Sequence, residues 1–319
     1  MSRGPAASGP DAPRDRFGET TIKDFWNTHP CGDHIVGGLD QQFARDHERF
    51  FRAYDAWRYR QEGHIPACLD EVDWRGRSVL EIGLGQGAES EQIIRRGARW
   101  SGLDLTPEAV RRARTRLHIR SLPFEDVRQG SAVAIPWPDD AFDIVFSHGV
   151  LHHIPDVRTA AREIHRVLRP GGLLVAMLYA RSSLNYQVSI RLLRRTALLA
   201  AFPIRRSPVV RRSAMLHQHL ANAEEAGLRR YLSLENFIHR STDGPLNPYA
   251  RVYSVREVSA DFADFTVLKA RRHYMHAPPL PVHGWPGARL MGWHLWVHLR
   301  ARVVDARVED ARVEDEGRP

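Results

Sequence analysis

The hydrophobic pattern along this chain changes period several times, and each change predicts an element. Short apolar runs at 78–82, 100–104, 127–131, 142–147 and 173–179 read as strands. Helical spacing lies between them, over 89–96, 107–119 and 155–168; Pro107 stands at a first helical position, with Thr106 as N-cap. Each strand is nearly continuous in its apolar content, which predicts a parallel sheet covered on both faces. Ahead of this alternation, 43–59 has helical spacing, with Phe50, Phe51, Tyr54, Trp57 and Arg58 on one side. After Tyr179 the alternation stops. Arg-rich helical segments follow at 189–201 and 214–226, then an irregular stretch, then strand-like runs at 265–273 and 294–303 around a Pro/Gly loop at 277–287.

The fold class expected is therefore α/β: a Rossmann-like, doubly wound sheet with helical additions. The divisions expected are a disordered start (1–18), an N-terminal helical lid (19–62), a ligand-binding core (63–180), a helical cap with substrate contacts (181–253) and the last strands of the sheet (254–303). Residues 304–319 repeat Asp-Ala-Arg-Val-Glu and read as a low-complexity tail. Composition changes this picture little. An apolar fraction of 43% suits a globular protein, and no run reaches the roughly 18 apolar residues that a bilayer span needs. The first 17 residues lack the apolar core of a secretory signal, and two cysteines are too few for a disulfide scaffold, so a cytoplasmic location with reduced thiols is expected. The net charge of +8 comes from arginine, with only Lys23 and Lys269 as lysines. The basic residues are not interleaved with stacking aromatics, so no nucleic-acid partner is expected.

The chemistry begins at residues 79–87, Val-Leu-Glu-Ile-Gly-Leu-Gly-Gln-Gly. A strand that runs into a glycine turn and then a helix is a nucleotide-binding arrangement. A dinucleotide would also suit the G-x-G-x-x-A spacing at 83–88. Against it stand Glu81 before the turn and Glu89 and Glu91 in the first turn of the next helix, where carboxylates would repel a pyrophosphate. The run Glu81-x-Gly83-x-Gly85-x-Gly87 resembles motif I of the class I S-adenosylmethionine-dependent methyltransferases. Asp104, 17 residues past Gly87, stands where that family places its ribose-binding acid. Phe142–Ser147 with Val150–Ile154 looks like the family's fourth strand and the turn after it, and Glu163–Gly172 like its lead into the fifth strand.

The resemblance implies a seven-stranded sheet completed by the two late runs, and S-adenosylmethionine as cofactor. It implies cofactor contacts from Glu81, Gly83, Gly85, Gln86, Gly87, Asp104 and Leu105, from Ser131 and Ala132 at the adenine, and from Ser147 and His148 near the sulfonium. Gly130-Ser131-Ala132 departs from the family, which often carries an acid there. Methyl transfer needs in-line approach without intervening water, and a base only if the acceptor holds a proton. His153 is the preferred candidate base, with His152 and Tyr186 as further catalytic candidates. Adjacent histidines are not metal-ligand spacing, so no metal is expected. Acceptor contacts are expected from Trp26 and His29, from Tyr59, from Tyr179 and Asn185, and from Asp243 and Asn247 in the Gly/Pro-rich loop. The Arg-rich stretch 189–212 admits three readings: a solvated face, a contact with an anionic acceptor, or a helix lying on a membrane surface. The function expected is methyl transfer to a small-molecule acceptor, such as a natural product, a sugar or a lipid-linked metabolite. The alternatives are a cofactor-binding scaffold without transfer activity and an NAD(P) oxidoreductase.

Overall fold

The computed structural model describes residues 18–39 and 42–303. The expected disordered start and the repetitive tail, Gly18 apart, lie outside them. Four helices come first: α1 (Glu19–Thr28), α2 (Asp33–Val36), α3 (His47–Gln61) and α4 (Ile65–Leu69). The helix expected from Phe43 starts later because Asp46 caps it, accepting from the Arg49 N–H at 2.9 Å. The alternating core is β1 (Ser78–Ile82), α5 (Ala88–Arg95), β2 (Arg99–Asp104), α6 (Pro107–Ile119), β3 (Asp126–Gln129), β4 (Phe142–His148), α7 (Val157–Val167) and β5 (Leu168–Tyr179). Thr106 caps α6 as expected.

The Arg-rich stretch is not one regular helix. Asn185–Arg194 is wound as a π-helix that runs into α8 (Arg195–Ala201). Three short helices and a longer one follow: α9 (Pro208–Arg211), α10 (Ala214–Ala226), α11 (Leu228–Tyr231) and α12 (Leu234–Phe237). The chain then returns to the sheet through α13 (Val255–Asp261), β6 (Phe265–His273), α14 (Ala288–Met291) and β7 (His294–Ala301).

All seven strands form one sheet in the order β3-β2-β1-β4-β5-β7-β6. β1 to β5 pair in parallel, while β7 runs antiparallel to both β5 and β6. Strand period 2 divides the core in two. Val79, Ile144, Phe146, Val175 and Met177 face one layer, with Trp100, Ile93 and Leu117. Leu80, Val145, Leu174, Ala176 and Val297 face the other, against α7 and α13.

The N-terminal helices are held to the core by arginines. Arg116 of α6 is fully buried; it reaches Asp55 of α3 at 2.6 Å and Glu91 of α5 at 2.9 Å. Arg112 is bidentate to Asp33, at 2.6 and 2.8 Å.

Candidate active site

A cavity of about 1620 Å³ opens along the carboxyl edge of the parallel strands, roofed by α1 and α3 on one side and by the 185–246 cap on the other. Ligands of open α/β sheets bind at this edge.

Its cofactor end is built by the glycine turn. Gly83 has φ +85°, and a Cβ there would lie 2.0 Å from Val150 Cγ2, so no other residue fits. Gly85 has φ +50°, and a Cβ there would meet nothing within 4 Å, since this glycine borders open cavity and lets a ligand approach the backbone. Asp104 ends β2 beside the turn. Its Oδ2 accepts the Leu84 N–H at 2.7 Å, and its Oδ1 accepts the Thr106 N–H at 2.8 Å and the Thr106 hydroxyl at 2.9 Å. Burial raises the pKa of Asp104, and these donors oppose the rise. A carboxylate fixed at the end of β2 and facing the cavity fits a ribose diol. Leu105, Ser131, Ala132, Gln86 and His148 also line the cavity. The Gln86 amide donates to Cys31 O at 2.9 Å and to Asp33 at 3.1 Å, tying the turn to the N-terminal helices.

The opposite wall holds the titratable groups. Asp156 caps α7, and the short turn before it, Leu151–His153, presents His153. His153 Nδ1 lies 2.6 Å from the Tyr249 carbonyl. A carbonyl only accepts, so Nδ1 donates to it, and Nε2 is the ring nitrogen left to exchange a proton. That Nε2 faces Asp243 Oδ2 at 3.4 Å, while Asp243 Oδ1 accepts the Tyr179 hydroxyl at 2.8 Å. Trp26 packs edge-on to the His153 ring at 5.1 Å, and His29 lines the cavity on the same helix side.

Several expected contacts are corrected. Glu81 does not reach the cavity. It shares the face of Val79, points under α5 and accepts from Trp100 Nε1 at 2.8 Å. Ser147 is buried, donating to Ile82 O at 3.0 Å, and Gly87 is spent on starting α5. His152 is fully buried with its ring centre 3.8 Å from that of Tyr179, outside the cavity lining. Tyr186 is a core residue between Arg181 and Arg191, and Tyr59 is spent on the Ala88 carbonyl at 3.2 Å; neither lines the cavity. Asn185 and Asn247 stand behind the wall: Asn185 accepts from Arg194, and Asn247 donates to Thr242 at 3.1 Å. Of the acceptor candidates, Trp26, His29, Tyr179 and Asp243 line the cavity.

Glu89 and Glu91, the acids of the first turn of α5, are compensated. Glu89 accepts from Arg58 at 3.0 Å, and Glu91 pairs with Arg95, Arg116 and Arg120. Their charge does not select a cationic ligand.

A further cluster was not foreseen. Glu62 Oε2, His148 Nε2 and His294 Nδ1 lie within 4.8 Å of one another on the cavity wall. The arrangement follows from strand register: His294 opens antiparallel β7 opposite Tyr179, so it sits at the same sheet edge as the end of β4. Arg58 donates to His148 Nδ1 at 3.0 Å and to Glu62 Oε1 at 2.9 Å. His148 therefore carries its proton on Nε2, 4.0 Å from Glu62 Oε2 and beyond hydrogen-bond distance, and has no lone pair there for a cation. This is a buried polar cluster organised by the Arg58 guanidinium. Burial pushes the Glu62 pKa up to about 7, partly offset by Arg58.

Buried histidines give the protein an acid limit. Burial lowers the pKa values of His148, His152 and His294, that of His64 to about 3, and those of His219 and His276 to about 4. The unfolded chain takes up these protons near pH 6.5 and the folded one only at far lower pH, so stability falls as pH drops below about 6.5. Glu62 and Glu81, raised to about 7 and about 8 chiefly by burial, act oppositely, because the folded state protonates them first. The histidines outnumber them. Each histidine contributes up to about 1.4 kcal/mol per pH unit. The urea midpoint is expected to fall steeply between pH 6.5 and 5; a flat profile there would mean that these rings are protonated in the fold.

Sheet order, glycine turn, ribose-type acid and cavity define a nucleotide-cofactor domain of the methyltransferase type. Residues 80–176 match the family model described as a methyltransferase domain, and they are a class I S-adenosylmethionine-dependent methyltransferase domain. A fatty-acid O-methyltransferase of Mycolicibacterium smegmatis is 38% identical over 104 residues, which is 32% of this chain and 37% of that protein. A ubiquinone biosynthesis O-methyltransferase of a Methylobacterium is 30% identical over 131 residues, 41% of this chain and 51% of that protein. The chain thus spans about half or less of the length of these curated relatives. A solved S-adenosylmethionine-dependent methyltransferase from Methanosarcina mazei superposes with a TM-score of 0.50 at 17% identity, covering 75% of this chain and 98% of that one, a likeness of fold.

Proposed function

We propose that this protein transfers a methyl group from S-adenosylmethionine to a small-molecule acceptor with an apolar body, and that His153 removes the acceptor's proton. The observation that carries the reading is the continuity of the cavity: it joins the Gly83–Gly85–Asp104 cradle to His153, Asp243 and Tyr179, and then to an apolar cap lined by Leu193, Leu198, Leu216 and Phe237. Its volume exceeds the roughly 300–1,000 Å³ of a pocket for one small ligand, so there is room for two. The named relatives, which concern fatty acids and a quinone precursor, support an apolar acceptor.

When bound, the cofactor supplies a methyl group on a cationic sulfur, open to in-line displacement. The chain's own residues do the rest. Asp104 and the glycine turn hold the ribose and the methionine part. Trp26 and the α3 residues close the roof and exclude water. His153 Nε2 takes the acceptor proton, and Asp243 stabilises the imidazolium that results, itself held by the Tyr179 hydroxyl.

Calorimetry tests the cofactor half. S-adenosylhomocysteine is expected to bind and NAD not to. Asp104→Ala should weaken binding about 10- to 100-fold, the worth of one or two hydrogen bonds to a charged acceptor. Unchanged affinity in that variant, or binding of NAD alone, would overturn the reading.

A further inference from the structure

The cap half of the cavity contains a half-buried cation without a counter-ion among the described residues. Arg194 ends the π-helical segment and lines the cavity. Its Nε donates to Pro278 O at 3.1 Å, one terminal nitrogen to Ser241 O at 2.5 Å, and the other to Asn185 Oδ1 at 3.5 Å. All three partners are neutral. Among the described residues no carboxylate pairs with it, whereas Arg58 and Arg112, which also line the cavity, each pair with acids. Burial alone, with no opposing cause, lowers the pKa of Arg194 to about 10. Its charge acts on two further wall residues, His219 and His276, and helps hold both rings neutral.

A guanidinium taken out of water without an anion is costly, and the cost is removed when a ligand brings the anion. The neutral partners fix the fork and leave donor capacity over, as recognition of a carboxylate or phosphate requires. His219 Nδ1 is taken by the Tyr231 hydroxyl at 2.7 Å and His276 Nδ1 by the Tyr274 hydroxyl at 3.3 Å, which leaves the Nε2 of each ring for the same ligand. Arg240, bonded to Leu246 O at 2.9 Å, adds a second positive charge on this wall.

We propose that Arg194, with His219 and His276, forms a subsite for an anionic group of the acceptor, a carboxylate or a phosphate monoester remote from the reacting atom. The proposal rests on the cap half of the cavity being the acceptor chamber. It also gives Asn185 a role, as the residue that positions Arg194.

Calorimetry with octanoate and 1-octanol tests it, since the two share a chain and differ in head-group charge. The native protein is expected to bind octanoate about ten-fold or more tightly than octanol. Arg194→Gln should remove that preference, and Arg194→Lys should retain part of it. Equal affinity for the two probes, failure of both to bind, or a preference that survives Arg194→Gln would each overturn the subsite. S-adenosylhomocysteine binding, measured on the same samples, reports the cofactor half separately. If the native protein binds it while the octanoate preference is missing, the subsite fails and the methyltransferase reading stands; if it does not bind, that reading fails itself.

Discussion

His153→Ala is expected to lower kcat about 10²- to 10⁴-fold while leaving S-adenosylhomocysteine affinity unchanged. The magnitude is that of a positioned general base. The geometry behind it is the Tyr249 carbonyl on Nδ1, which fixes the tautomer, and Asp243 at 3.4 Å from Nε2, which gains a full ion pair when the ring takes a proton. Asp243→Asn should follow in the same direction with a smaller loss, because the ring remains oriented by Tyr249. The measurement is release of S-adenosylhomocysteine with an acceptor drawn from a panel of medium-chain hydroxy acids and phenols. A kcat within two-fold of the native value would show that the acceptor arrives deprotonated and that His153 only shapes the wall.

Arg116→Ala should cost about 3–5 kcal/mol of stability, the range for breaking a buried ion pair from one side. The side chain has no exposed surface, and its removal deprives Asp55 and Glu91 of their buried partner. Glu91 keeps Arg95 and Arg120, and Asp55 keeps Arg120, which places the loss nearer the lower end. Urea unfolding measures it. Because Asp55 belongs to α3, the N-terminal helices should loosen with it, and cofactor affinity should fall as well. Arg116→Met, which refills the volume, should recover only part of the loss, since two carboxylates are then left to share Arg120 and Arg95. A change under about 1 kcal/mol would mean that the pair is already solvated.

Local signals in the chain were enough for the parallel half of the sheet. The runs at 78–82 and 142–147 are short, apolar and bounded by turn residues, and the strands found there begin where the runs do. The glycine turn and Asp104 were legible for a similar reason: a tight turn at positive φ next to a ligand needs glycine, and the acid stands at a fixed strand end. Glu81 shows the limit. It belongs to the same motif, but strand alternation turns it away from the cavity and into the layer under α5, where Trp100 takes its hydrogen bond. His152 and His153 are neighbours in sequence, and only packing decides that one ring is pressed against Tyr179 while the other faces the cavity. The π-winding of 185–194 likewise escapes a reading based on a 3.6-residue period.

By itself, then, the sequence determined the α/β class, the cofactor cradle and the position of the candidate base, because each rests on local periodicity or on residue types that a turn demands. Tertiary structure decided the acceptor side. Glu62 caps a helix near the N-terminus, His148 ends β4 and His294 opens β7; they meet only because β7 enters the sheet antiparallel beside β5. Arg194 is one arginine among many in its stretch. What sets it apart is the absence of a carboxylate partner among the described residues, and that follows from which surfaces the cap buries against Pro278 and Ser241, segments far from it along the chain.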